Sequence, residues 1–344
     1  MAVSSQLNMR KTLTLRLAVL LVGLSMNASG ADVTLFGILK SQQYQQTNDS
    51  PPSLISSNAF AFNALVYATS NKLVTSATLR RTGATNVYSL QPDLEDSILR
   101  YEFRTNSQSA IDSVFPSGGL LNRINYTFTM DTTHDGVRTA SVNYSAAALL
   151  GNPPVLAISN FGEAQTIDTT ADFTLRWKDN SGLSLDFVQL VVSNESGGIV
   201  FTSPLPLAAG GLTGTSTSAV IPAHALPPAS TLSAHLAIIR PTGVETNDYP
   251  GAVGLAGILR DTTFPLRTIP APSSPILHLA FLNPVECQLD FPTETNRIYH
   301  LQTSTNLASW HDLLITNPSS AKVIFIEQRL PEIPQRYFRI RVGP

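Results

Sequence analysis

From residue 31 onward, apolar and polar positions alternate at period two in one stretch after another, which is the pattern of strands with one buried face. Leu99, Tyr101 and Phe103 fall on one face of such a stretch, and Arg100, Glu102 and Arg104 on the other. Tyr126, Phe128 and Met130 answer Ala140, Val142 and Tyr144, all even-numbered, so a hairpin joining them needs an odd loop. A three-residue loop of His134, Asp135 and Gly136 meets that condition, with Gly136 in the left-handed conformation that this loop class demands. Further strands are predicted at Phe173–Trp177, Phe187–Val192, Ile199–Pro204 and Ala219–Leu226. After a turn at Pro227-Pro228 comes a strand with Leu232, Ala234, Leu236 and Ile238 inward. Long amphipathic helical patterns are missing. The expectation is an all-β protein of tandem β-sandwich modules.

The first thirty residues break the pattern. Arg10 and Lys11 precede an apolar run, Leu13 to Leu24, interrupted by Arg16 and followed by Ala28 and Gly30. A positive n-region, a short apolar core and a small-x-small site read as a signal peptide over residues 1–30, cleaved before Ala31. The run is shorter than the ~20 residues that a bilayer core requires, so no transmembrane segment is expected in the mature chain. Cleavage would leave 314 residues with 19 Lys plus Arg against 24 Asp plus Glu, a formal charge of −5. The implied address is secreted or cell-surface, with the periplasm as the alternative.

Proline marks two joints, Gly151-Asn152-Pro153-Pro154 and Ile269 to Pro275. They divide the mature chain into an N-terminal β domain (31–151), a middle domain (152–270) and a small C-terminal β-module (271–344).

The middle segment resembles a fibronectin type III or immunoglobulin-like sandwich. The likeness rests on strand spacing and on LPPASTL, Leu226 to Leu232, which resembles that family's turn before its penultimate strand. Leu232 stands where the family's corner tyrosine is expected. In the C-terminal segment, Tyr299, Gln302, Ser304-Thr305-Asn306-Leu307-Ala308-Ser309-Trp310, Leu313, Phe325 and Arg336-Tyr337-Phe338-Arg339 look like a small β-module common in secreted multi-module bacterial proteins. That resemblance implies an exported, modular, non-catalytic context. The N-terminal segment matches no family.

Composition narrows the chemistry. With 43% hydrophobic and 13% charged residues, net charge −2 and no basic run, the chain has no electrostatic footprint for nucleic acid. Cys287 is the sole cysteine, so no intramolecular disulfide can form, and it reads as a small buried hydrophobe. The six histidines, at 134, 224, 235, 278, 300 and 311, show no ligand spacing, and neither a metal nor another cofactor is expected. His235 and His300 are placed on solvated outer strand faces. Asp131 to Gly136 fails as a calcium loop, having Thr133 at the third position and Val142 at the twelfth. There is no G-x-S-x-G turn. The Gly-rich stretch 208–212 lacks a following Lys and matches no phosphate loop.

Asp93, Glu95 and Asp96 form the densest acidic group and are expected in a solvated turn. Trp177, in phase with Phe173 and Leu175, reads as core, and Trp310 as a packing residue that could alternatively face a sugar. The leading expectation is a secreted or cell-surface protein with a structural, adhesive or binding role and no catalytic residues. Its partner would be a surface polysaccharide or another extracellular protein. One alternative is a carbohydrate-binding protein using exposed aromatics; the other is a glycosidase-like hydrolase with two carboxylates in residues 31–151.

Overall fold

The computed structural model describes residues 30–93, 97–118, 123–145, 151–178, 182–206, 208–271, 275–295, 297–328 and 335–343. Residues 1–29 of the proposed signal segment, Glu95 and Asp96 lie outside them. The described chain is all-β: 21 strands, one short α-helix and one 3₁₀ turn. It divides into two compact units, residues 1–269 and 270–344. Among the described residues no helix is long and apolar enough to cross a membrane.

The first unit opens with β1 (Val33–Gln45), β2 (Ser53–Leu54), β3 (Phe60–Ala68), β4 (Val74–Arg81), β5 (Val87–Pro92) and β6 (Ile98–Thr105). Helix α1 (Gln108–Val114) and the hairpin β7 (Ile124–Thr132) and β8 (Gly136–Tyr144) follow. A second run comprises β9 (Phe173–Arg176), β10 (Phe187–Ser193), β11 (Ile199–Thr202), β12 (Leu212–Thr213) and β13 (Ser218–Ile221). The unit closes with the two longest strands, β14 (Thr231–Glu245) and β15 (Val253–Arg267).

One ladder runs through both parts in the order β11-β10-β14-β15-β1-β3-β6-β5-β4-β7-β8. Its last strand, β8, rolls back over β14 and β15. A Cβ on Gly254 of β15 would lie 2.8 Å from Val142 Cγ1 of β8, and one on Gly243 of β14 would lie 2.1 Å from the Asn143 carbonyl oxygen. Phe36, Phe62, Leu79, Tyr126, Phe128, Met130, Val142 and Tyr144 fill the interior of the roll, all essentially without solvent exposure. Helix α1 closes one end. Ser107 caps it, its side chain accepting the Ala110 N–H, and Ile111 points into the same core.

The ends of β14 and β15 beyond the roll join β10 as one layer of a sandwich whose other layer is β9 with β13. Leu175, Trp177 and Ile221 from the small layer meet Val188, Leu190, Leu232, Leu236 and Phe264 from the large one. Trp177 is 3% exposed and donates its indole N–H to the Ser216 carbonyl. Leu232, at the corner position, is buried.

The joint expected at 151–154 is therefore not a division between compact units. The parallel pairing of β1 with β15, from Leu35↔Val253 to Gln45↔Thr263, carries one sheet across it. Arg240 holds the joint itself, donating to the Gly151 and Asn152 carbonyls at 3.1 Å each.

His235 also departs from expectation. It is 7% exposed, with Nδ1 at 3.3 Å from Asp261 Oδ2 and 3.2 Å from Thr263 Oγ1. The physical reason is its position in mid-sheet: β14 lies between β10 and β15, and the outer face it shares with Ala237, Ile239, Leu255 and Leu259 is buried too. Alternation reveals which residues share a face, but not whether that face meets water.

The hairpin places Gly136 at φ +68°, as its role demands. Its register pairs Thr132 with Gly136, so the three loop residues are Thr133, His134 and Asp135, one position earlier than expected. The buried Asp32 carboxylate holds this loop, accepting the backbone N–H groups of His134 (2.6 Å) and Asp135 (3.1 Å).

The second unit packs two three-stranded sheets. One contains β16 (His278–Asn283), β17 (Glu286–Pro292) and β20 (Lys322–Gln328); the other β18 (Ile298–Ser304), β19 (His311–Thr316) and β21 (Tyr337–Gly343). Leu289, Phe291, Tyr299 and Leu301 make the core, and Cys287 is buried beside them in β17.

Candidate functional site

Where the roll comes round to meet β1 and β15, it leaves a pocket of about 190 Å³ lined by Lys40, Gln42, Gln108, Asp112, Ser117, Tyr144, Asn152 and Ile258. The even-numbered face of β1 supplies Lys40 and Gln42, continuing the row of Phe36 and Ile38 that enters the core. Lys40 is 4% exposed. Its Nζ lies 2.5 Å from Asp112 Oδ1, 2.6 Å from Ser117 Oγ and 5.0 Å from the centre of the Tyr144 ring. Burial pulls the Lys40 ammonium below the usual lysine range, and the Asp112 carboxylate opposes that shift. Burial pushes the Tyr144 phenol upward, so it is a neutral hydrogen-bonding group beside the lysine.

A chain of amides continues the network outward. Gln108 donates to Asp112 Oδ1 at 3.0 Å, Gln42 donates to Gln108 at 3.3 Å, and the Tyr44 hydroxyl donates to Gln42 at 2.8 Å. The pocket thus holds one cation, one carboxylate, three amides and two hydroxyls over an aliphatic patch at Ile258. No periodicity signal marks it. Lys40 falls in phase with core residues, where sequence reading looks for apolar side chains, and its partners come from helix α1, the loop after it and β8.

The other sequence-selected residues lie elsewhere. Asp93, 9% exposed at its side chain, faces Arg100 at 3.9 Å, so this one described member of the acidic group is largely buried where solvation was expected. His134 meets Asp32 Oδ1 at 2.7 Å through Nδ1. His300 is partly buried, with Nδ1 at 3.3 Å from Asp312 Oδ1, so it is tied down where the sequence suggested free solvation. Gln302 donates to the same oxygen at 2.8 Å, and this bond, ahead of His300, holds the Asp312 carboxyl below its usual range. Trp310 is half-buried under Arg339, whose guanidinium carbon stands 4.1 Å from the ring centre while its Nε donates to Gln302. The guanidinium thus covers one face of the ring. Among the described residues no group of three or more His, Cys, Asp or Glu side chains is placed to hold a metal ion.

The two units differ in their surfaces. Of 17 exposed large hydrophobic residues described, nine lie in the small second unit, among them Leu279, Phe281, Leu282, Ile324 and Ile326. All six residues of β16, an edge strand with no Lys, Arg, Asp or Glu, are exposed.

No protein-family model matches the chain, and no curated protein does. Among solved structures, the crystal structure of the FN1–FN3 domains of chicken CNTN1 is similar at a TM-score of 0.28 and 10% identity, over 90% of this chain and 94% of that one.

Proposed function

We propose that the protein is exported and acts outside the cytoplasm as a non-catalytic β-module protein with an adhesive or binding role. The observation that carries this reading is the concentration of exposed apolar side chains on the second unit, with Phe281 65%, Ile324 58% and Ile326 55% exposed. Ile324 and Ile326 lie on the outer face of their sheet, and Phe281 lies at the edge strand on the face of Leu289 and Phe325. Exposed apolar side chains at this density mark contact surface, and an apolar edge strand without Lys, Arg, Asp or Glu is open to pairing. Histidines and acids of the first unit support the same reading, because Asp32, Asp186, His235 and Asp261 are engaged in ties between strands and loops. The glycosidase alternative needs two carboxylates across one cleft, and the pocket in the N-terminal segment is lined by one, Asp112.

The test is expression of the full chain with fractionation of medium, envelope and cytoplasm. An exported product whose intact mass begins at Ala31, and which binds envelope material less well after Phe281→Ser with Ile324→Thr and Ile326→Thr, is the expected result. Retention in the cytoplasm at full length, or a hydrolase turnover abolished by a single substitution, overturns the reading.

A further inference from the structure

We infer that the Lys40 pocket is a binding site for a single sugar residue, held by hydrogen bonds rather than by ring stacking. The inference rests on the binding role proposed above and names a ligand class for it.

The charge content of the pocket comes first. Lys40 and Asp112 neutralise each other at 2.5 Å, so an incoming anion or cation would meet no uncompensated opposite charge. A neutral ligand fits this balance. The hydrogen-bonding inventory comes second. The lining presents donors and acceptors together: amide groups of Gln42, Gln108 and Asn152, the Asp112 carboxylate, and the Ser117 hydroxyl beneath. Hydroxyl groups, which donate and accept at once, are the ligand groups that such a mixed lining serves best. Size comes third. About 190 Å³ corresponds to roughly six water molecules at ~30 Å³ each, the scale of one pyranose ring. A ligand whose hydroxyls reproduce the hydrogen bonds of displaced water keeps their enthalpy while releasing them.

The wall is also preorganised. Lys40 is fixed by three contacts, and Gln108 is fixed to Asp112 within one helix. Asp112 is 42% exposed at its side chain, so the carboxylate reaches both the buried ammonium and the solvent side. The site lies in the mouth of a rolled sheet, a place where small-molecule sites recur.

Saturation-transfer NMR on the exported protein, with glucose, galactose, mannose, N-acetylglucosamine and glucuronate as probes, tests the assignment. The expected result is transfer to at least one neutral sugar, weakened about tenfold or more by Gln108→Ala and by Asp112→Asn and unchanged by Trp310→Ala. Circular dichroism on each variant separates loss of binding from loss of fold, and Gln108→Ala, which leaves the Lys40–Asp112 pair in place, keeps the test valid if Asp112→Asn unfolds. No transfer from any of the five sugars overturns the assignment, as does preference for glucuronate, or transfer abolished by Trp310→Ala and untouched by Gln108→Ala. Envelope binding through Phe281, Ile324 and Ile326 is read separately, so a dead pocket leaves the adhesive reading standing.

Discussion

Arg240 grips Asp186 through two parallel bonds, Nε to Oδ1 at 2.8 Å and Nη2 to Oδ2 at 2.6 Å, with side chains 3% and 0% exposed. The same guanidinium reaches the Gly151 and Asn152 carbonyls. One side chain thus ties the loop before β10, strand β14 and the proline joint together. Removing one member of a buried pair leaves the other charge without compensation. Arg240→Met is expected to lower unfolding free energy by about 3–5 kcal/mol in urea titration, and Asp186→Leu combined with Arg240→Met to recover part of that loss. A single variant within about 0.5 kcal/mol of wild type would show the pair to be ornamental.

Glycine is required where the roll touches itself. A Cβ at Gly243 would sit 2.1 Å from the Asn143 carbonyl oxygen, and one at Gly254 would sit 2.8 Å from Val142 Cγ1 of β8. Both clashes are with groups that have little room to move. Gly243→Ala and Gly254→Ala should each cost about 1–3 kcal/mol by the penalty for overpacking. Gly83→Ala is a control for backbone strain alone, since its φ is +79° and its Cβ would meet nothing within 4 Å. Calorimetric midpoints on the three variants check the difference, and identical shifts would count against self-contact of the sheet.

Asp32 gives the first unit an acid-sensitive clamp. Burial by itself would raise its carboxyl, but bonds from the His134 side chain and the backbone N–H groups of His134 and Asp135 outweigh that and hold it below the usual carboxylate range. A folded-state value below the unfolded one means that the carboxylate stabilises the fold above about pH 4 and that this contribution is lost as pH falls through the folded value. Asp32→Asn should therefore be less stable than wild type at pH 7 and converge toward it on acidification below pH 4. Parallel stability curves across pH 3–7 would refute the clamp.

How much of this could be read in advance depends on the range of the interactions concerned. The β-strands around Leu99–Phe103, Tyr126–Tyr144 and Leu232–Ile238 were legible because their alternation is a local consequence of one buried face. Trp177 and Cys287 as core followed from phase and residue type. Lys40 was not legible: a lysine in phase with Phe36 and Ile38 has no local mark, and Asp112 and Ser117 lie more than seventy residues away. His235 was misplaced for the same reason, since its burial depends on neighbouring strands that local alternation does not reveal.

By itself the chain's order of residues determined a β architecture, the left-handed Gly136 and the lack of an intramolecular disulfide. Tertiary structure alone decided that β1 and β15 fuse two proline-delimited segments into one unit, that the sheet rolls until Gly243 touches Asn143, and that a buried ammonium ends up in a polar pocket. The division has a physical cause. Side-chain alternation is set by backbone geometry within a few residues, whereas strand order, closure and charge pairing depend on contacts between residues far apart, whose identity only the folded chain fixes.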